Sequence, residues 1–131
     1  MNRLLLTVVT LAIALPLAAA ANPIQDSYRA AAKQENAAFK DFSATRGQAF
    51  YNAKSGDMAC ATCHGDSPKS NGKHAKTGKD IQPLAPSANA QRFTDGAKVE
   101  KWFGRNCKDV LSRACTAQEK GDFIAYLLSV K

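Results

Sequence analysis

Residues 60–65 read CATCHG, and what this stretch binds decides the fold of the chain. Two cysteines two residues apart, with a histidine directly behind, serve three chemistries: a dithiol redox pair, a zinc site, or covalent attachment of haem. A thioredoxin-like pair sits within a βαβ pattern, and this chain offers none. A structural zinc needs four ligands. Cys60, Cys63 and His74 with Cys107 or Cys115 would supply them, but the histidine abutting Cys63 would then have no role. The third reading uses every residue. Cys60 and Cys63 add to the two vinyl groups as thioethers, and the two-residue gap sets both sulfurs along one edge of the porphyrin. One further helical step turns the His64 imidazole under the ring as the proximal iron ligand. The expected cofactor is one covalent haem c with its iron.

The chain has 131 residues with four cysteines and one tryptophan, the size of a single small domain. Residues 1–21 stand apart. Arg3 gives a short positive head, Leu4 to Leu17 is an almost unbroken apolar run, and Ala18 to Ala21 is a small-residue step before Asn22-Pro23. That is the layout of a cleaved signal peptide. An uncleaved anchor fits less well, because the run is short for a bilayer, contains Pro16 and lacks a basic stop. The expectation is export to a bacterial periplasm, no stable membrane insertion after cleavage, and a mature domain of residues 22–131. A domain that small buries a modest core and leans on a cofactor or cross-link. All four cysteines lie in the exported part, hence in an oxidising compartment. The formal net charge of +7 favours an acidic partner. Nucleic acid is a poor fit for an exported chain with so few aromatics.

Tyr28, Ala31, Ala32, Ala38, Phe39, Phe42, Ala49 and Phe50 recur at three- and four-residue spacing, so residues 27–54 read as helical. Gly47 marks a close approach or a break in it. SPKSNGKHAKTGKD (67–80) is polar and glycine-bearing and reads as a loop. The prolines of IQPLAPSANAQRF (81–93) exclude one long helix. Thr94 or Asp95 caps a short helix, GAKVEKWFGRN (96–106), with Val99, Trp102 and Phe103 at core spacing. Thr116 and Glu119 form a capping-box signature opening a last helix, whose apolar face is Phe123, Ile124, Tyr126, Leu127 and Leu128. No segment reads as a convincing strand. The expected class is a small all-α domain.

RGQAFYNAKSGDMACATCHG (46–65) resembles the first helix and haem motif of class I cytochromes c, with Gly47 and Tyr51 on that family's glycine and aromatic. FIAYLLSV (123–130) resembles its C-terminal helix. A few extra residues between Tyr51 and Cys60 depart from the pattern. The resemblance implies a class I cytochrome c fold around the haem, and a sixth iron ligand that is usually a methionine well downstream. Counting excludes that ligand. The methionines are Met1, in the leader, and Met58, before Cys60. His74, Asn106 and an open sixth position remain. His74 would make a bis-histidine electron carrier, although a solvated loop histidine is the commoner case. Asn106, taken alone, reads as a helix-ending asparagine.

WFGRNCKDVLSRAC (102–115) is similar to the sphaeroides haem protein family, oxygen-binding cytochromes c whose sixth ligand is an asparagine followed at once by a disulfide-bonded cysteine. The flanking RFTDGAKVEKWFGR and TAQEKGDFIAYLLSV resemble the same family. The resemblance implies Asn106 as distal iron ligand and a Cys107–Cys115 disulfide. It also implies that the reduced protein binds small diatomic gases (oxygen, nitric oxide, carbon monoxide) and takes electrons from a dihaem cytochrome c.

Leu84 and Trp102 are the expected haem-pocket walls, and the Pro83 or Pro86 carbonyl the expected acceptor for the second ring N–H of His64. Lys69, Lys73, Lys76 and Lys79 form either a solvated loop or a docking face for an acidic redox partner. No acid or base is evident beside Asn106. A small haem enzyme reducing oxygen or nitrogen oxides is therefore the lesser alternative to a gas-binding or electron-transfer protein.

Overall fold

Side-chain caps set the helix starts. In the computed structural model, which describes residues 22–131, Asn22 accepts the N–H groups of Ile24 and Gln25 and opens α1 (Pro23–Glu35). The leader reading of residues 1–21 lies outside the described residues. Ser43 accepts from Arg46 and opens α2 (Ala44–Asn52). A short turn, α3 (Cys60–His64), carries the cysteine motif, and strands β1 (Gly72–Lys73) and β2 (Asp80–Ile81) follow as a small antiparallel hairpin. Asp95 accepts from Lys98 and opens α4 (Gly96–Leu111). Thr116 and Glu119 form the expected reciprocal box at the start of α5 (Ala117–Ser129).

Three local expectations change. The single helix over 27–54 is two helices. Asn36 ends α1 in an extended conformation, its side chain accepts the Ala38 N–H at 2.9 Å, and Asp41 accepts the Phe42 N–H at 2.7 Å. Such local bonds compete with the helical ladder. Phe39 and Phe42, which lent the segment its apparent periodicity, instead pack as a tilted pair with centroids 5.0 Å apart beside Ala32 and Ala117. The lysine-rich loop is closed by two pairs, Gly72 with Ile81 and Lys73 with Asp80, a ladder too short to leave an alternating pattern. Finally, α4 continues past Asn106 to Leu111, where Ser112 caps it in the left-handed region.

The core forms where α2 crosses α5. A Cβ on Gly47 would run into the Asp122 carbonyl and lie 2.8 Å from Tyr126 Cβ, so the close approach requires glycine. Asp122 is buried at this crossing. Its oxygens accept from the Ser43 N–H and from Arg46 Nε and Nη2 at 2.7–2.9 Å, which meets its charge. Tyr51, Leu84, Phe103, Phe123, Ile124, Tyr126 and Leu127 fill the main cluster. Phe103 brings α4 onto it, edge to face with Phe123 at 5.5 Å. No helix among the described residues is long and apolar enough to cross a membrane.

Candidate haem site

The turn that holds the motif is fixed at both ends. The Ala59 N–H donates to Thr62 Oγ1 at 2.9 Å, and Gly65 ends the turn at φ +79°, its N–H on the Ala61 carbonyl at 2.8 Å. Tyr51, wholly buried, donates its hydroxyl to the Gly65 carbonyl at 2.5 Å, so α2 pins the end of the motif. Cys60, Cys63 and His64 thereby share one turn, all half-buried.

Their electrostatics separate the three chemistries. Burial pushes the Cys60 thiol up to about 11. A redox dithiol needs the opposite shift, toward the thiolate. Cys107 and Cys115 are joined in a disulfide with Cα atoms 5.6 Å apart, which withdraws both from the zinc reading. Among the described residues no three His, Cys, Asp or Glu side chains stand together as a metal site. Burial, and then the nearby Arg92 charge, push His64 down to about 4, leaving a neutral imidazole.

One of the two carbonyls expected to partner that imidazole is engaged elsewhere. The Pro83 carbonyl accepts from Arg92 Nε at 2.8 Å and Asn89 Nδ2 at 3.4 Å. The His64 ring makes no hydrogen bond among the described residues, with Pro83 or with Pro86. Sequence reasoning passed over Arg92, because its effect depends on a turn that no residue pattern marks.

His74 sits in the hairpin, and the hairpin sits on the motif. A Cβ on Gly72 would lie 2.8 Å from His64 Cα, and the Ala75 N–H reaches Cys63 Sγ at 3.4 Å. The His74 side chain is exposed and folded onto its own turn, Nδ1 accepting from the Lys76 and Thr77 N–H groups at 3.3 Å each. Met58 is equally local, in a tight turn with Ser55 just before α3.

Helix α4 has two characters. Val99, Phe103, Cys107 and Leu111 recur every four residues and face the core. One step round the helix, Trp102 and Asn106 form their own i, i+4 pair, and both are exposed. Trp102 is 45% exposed, the large apolar residue that the described fold leaves uncovered, with Arg105 over its ring at 5.7 Å. Asn106 lies inside the helix, so it is no cap, and its amide makes no hydrogen bond among the described residues. Leu84, the other expected wall, is buried in the main core cluster. Two unpaired thiols at attachment spacing, a neutral unbonded imidazole and an uncovered indole beside a free amide fit a covalent haem.

A family profile described as a domain of unknown function, DUF1924, matches residues 37–127. The chain is 45% identical over 107 residues to cytochrome c'' of Methylophilus methylotrophus, spanning 78% of this chain and 74% of the relative. It is 47% identical over 98 residues to the cytochrome c-type protein SHP of Cereibacter sphaeroides, spanning 71% and 75%. The crystal structure of oxidized cytochrome c'' aligns with a TM-score of 0.75 at 41% identity, over 82% of this chain and 92% of that one. The structure of oxidized SHP, described as an oxygen binding cytochrome c, aligns at 0.70 and 43% identity, over 79% and 91%. A solution structure of cytochrome c'', which treats the structural basis of haem-ligand detachment, aligns at 0.72 and 41% identity, over 81% and 90%.

Proposed function

Because this chain belongs to the family of cytochrome c'' and the sphaeroides haem protein, with a cytochrome c-type fold and a covalent haem c, we propose that it is an exported, redox-gated binder of small diatomic gases. The haem supplies a redox-active iron with one exchangeable position. Cys60 and Cys63 hold it by thioethers, His64 is the proximal ligand, and Asn106 is the distal one, with Trp102 beside it on the same helix face. After cleavage of residues 1–21 the domain of residues 22–131 works in the periplasm.

One observation carries the reading of the distal side. Asn106 presents an amide with no hydrogen-bond partner among the described residues from within α4, next to a cysteine that is cross-linked to Cys115. A neutral carbonyl oxygen is a hard and weak donor that suits ferric iron better than the softer ferrous ion. Asn106 therefore holds in the oxidised protein and lets go on reduction. A methionine thioether would do the reverse. The description of SHP as oxygen binding, and the concern of the cytochrome c'' structure with ligand detachment, accord with this for the relatives. The His74 alternative is disfavoured by its ring, which already serves its own turn.

The electron comes from an acidic redox partner, a dihaem cytochrome c by family resemblance, meeting the lysine-bearing hairpin. Spectra of the ferric and ferrous holoprotein, with and without carbon monoxide, test the proposal. The ferrous form is expected to turn largely high-spin and to bind carbon monoxide promptly. A ferrous form that stays low-spin and ignores carbon monoxide overturns it.

A further inference from the structure

Helix α4 carries a further row of side chains that the haem reading does not use. Lys98, Lys101, Arg105 and Lys108 follow one another at three- and four-residue steps, so they line one flank of the helix. That flank runs directly beside the Trp102 and Asn106 pair, on the side away from the core-facing Val99, Phe103 and Cys107. All four cations are exposed, and none enters an ion pair among the described residues. Arg113 and Lys120, the next cations along the chain, close instead on Glu119 and Glu100. A contact ties the row to the site. The Arg105 guanidinium lies over the Trp102 ring, 5.7 Å from its centroid, so one of these charges rests on the indole one turn from Asn106. The carboxylates of α4 do little to cancel the row. Glu100 is turned to the far side, bonded to Tyr28 of α1 and Lys120 of α5. Asp95 caps the helix start through the Lys98 N–H. Asp109 shares the flank, exposed, and pairs with none of the four among the described residues.

We propose that the cations of α4 make the approach to the distal iron position selective for small inorganic anions, of the class of azide and nitrite, over neutral ligands of similar size. The inference rests on Asn106 as the distal ligand, and it names a ligand class for that site in the oxidised protein. A row of like charges along an apolar wall concentrates counter-ions and raises their association rate, by about 10 to 10³ in charged clefts. Neutral oxygen, nitric oxide and carbon monoxide gain nothing from such a field. The two oxidation states are thereby matched to different ligands. The reduced protein, with Asn106 released, takes gases that need no steering. The oxidised protein meets anions that arrive at raised local concentration and compete with the neutral Asn106 amide. Arg105 is the cation nearest that competition, since it is fixed on Trp102; Lys98, Lys101 and Lys108 extend the field along the helix.

The test is the rate at which azide, nitrite and, as the neutral ligand, nitric oxide bind the ferric holoprotein in stopped flow. Asn106→Ala serves as the background, so that departure of the amide does not limit the rate. Adding Lys101→Glu with Arg105→Glu is expected to slow azide and nitrite roughly tenfold at low salt, with the difference shrinking as salt rises. Nitric oxide should bind both proteins at the same rate. Lys73→Glu with Lys76→Glu makes the same change of net charge on the β1–β2 hairpin and is expected to leave the azide rate nearly unaltered. Lys101→Gln with Arg105→Gln repeats the test, with a smaller effect, if the Glu pair is not recovered. If the two Glu pairs slow azide alike, net charge alone acts and the proposal falls. It falls equally if the α4 pair leaves azide unchanged, or if it slows nitric oxide as much as azide, which would mean a distorted entrance. Failure of the Asn106 reading looks different: Asn106→Ala would leave the ferric site closed to all three ligands, and the proposal would fall with it.

Discussion

The backbone N–H of Ala75 points at the sulfur of Cys63 across 3.4 Å, so the tip of the β1–β2 hairpin lies on one of the two cysteines of the motif. Lys73, Lys76 and Lys79 are carried on that hairpin, exposed and outside any ion pair among the described residues. Lys69 differs, since its ammonium donates to the Lys131 carbonyl at 2.7 Å. The three free lysines thus border the edge through which an electron would reach a haem held at Cys63. Exchange with an acidic redox protein is expected to slow as salt rises, because exposed charges are screened over about 10 Å at 0.1 M. Lys73→Glu with Lys76→Glu should slow it roughly tenfold at low salt, within the range for electrostatic steering. Stopped-flow rates that ignore both salt and substitution would reduce the hairpin to a solvated loop.

Gly47→Ala addresses the fold. The new methyl has no room, because the atom it meets is the Asp122 backbone carbonyl and not a movable side chain. The α2–α5 crossing must open, which also loosens the Ser43 and Arg46 bonds to Asp122. Overpacking of this kind costs about 1–3 kcal/mol or more. Urea unfolding of the holoprotein should show a lowered midpoint; an unchanged one would mean the crossing relaxes freely.

Much of this architecture was legible because it is written in short-range chemistry. Thr116 with Glu119, Asp95 before its helix, and CATCHG each act through bonds within a few residues, and each forms where the sequence puts it. Gly47 announced a close approach without naming Asp122 as its neighbour. The break between α1 and α2 was masked, because Phe39 and Phe42 keep helical spacing while Asn36 and Asp41 quietly take the backbone. Arg92 was invisible. Nothing local distinguishes it from a surface arginine until a strained turn aims it at Gln82 and Pro83.

The disulfide closes a short loop between α4 and α5, with Cys107 and Cys115 eight residues apart. On the loop-entropy model its loss costs roughly 2–3 kcal/mol. Cys107→Ser with Cys115→Ser should lower the unfolding midpoint accordingly. It should also broaden the ferric spectrum, because the backbone beside Asn106 is no longer held. A destabilised variant with an unaltered ferric spectrum would leave the cross-link a staple and nothing more.

Acid should find Glu119. Its carboxyl is held below its ordinary value of 4.5, first by Arg113, which donates two bonds at 2.6 and 2.8 Å, although burial opposes the shift. A folded pKa below the unfolded one means stabilisation that is fully present above the unfolded value. It is lost as pH falls through the folded value. The stability gap between wild type and Glu119→Gln should therefore be constant near neutrality and shrink below about pH 4.5. A gap that widens with acid would contradict the sign. Guanidinium unfolding at several pH values reads it directly.

Asn106 is the residue on which the proposed function turns. In the ferric protein Asn106→Ala should open the sixth position, so that cyanide and azide bind at once where the wild type admits them slowly. On the proposed ligation the donor is weak, so its removal should leave the ferrous spectrum high-spin and reactive toward carbon monoxide, as expected of the wild type. Asn106→Met should invert the pattern, since a thioether prefers ferrous iron: the reduced protein would become low-spin and lose its prompt carbon monoxide binding. Trp102→Ala, one turn away on the same face, should speed ligand entry in the reduced protein without creating an open ferric site. His74→Ala should change none of these spectra, because its ring serves the Lys76 and Thr77 N–H groups. If His74→Ala alone opens the iron and Asn106→Ala does not, the chain is a bis-histidine electron carrier and Asn106 is a surface amide on α4.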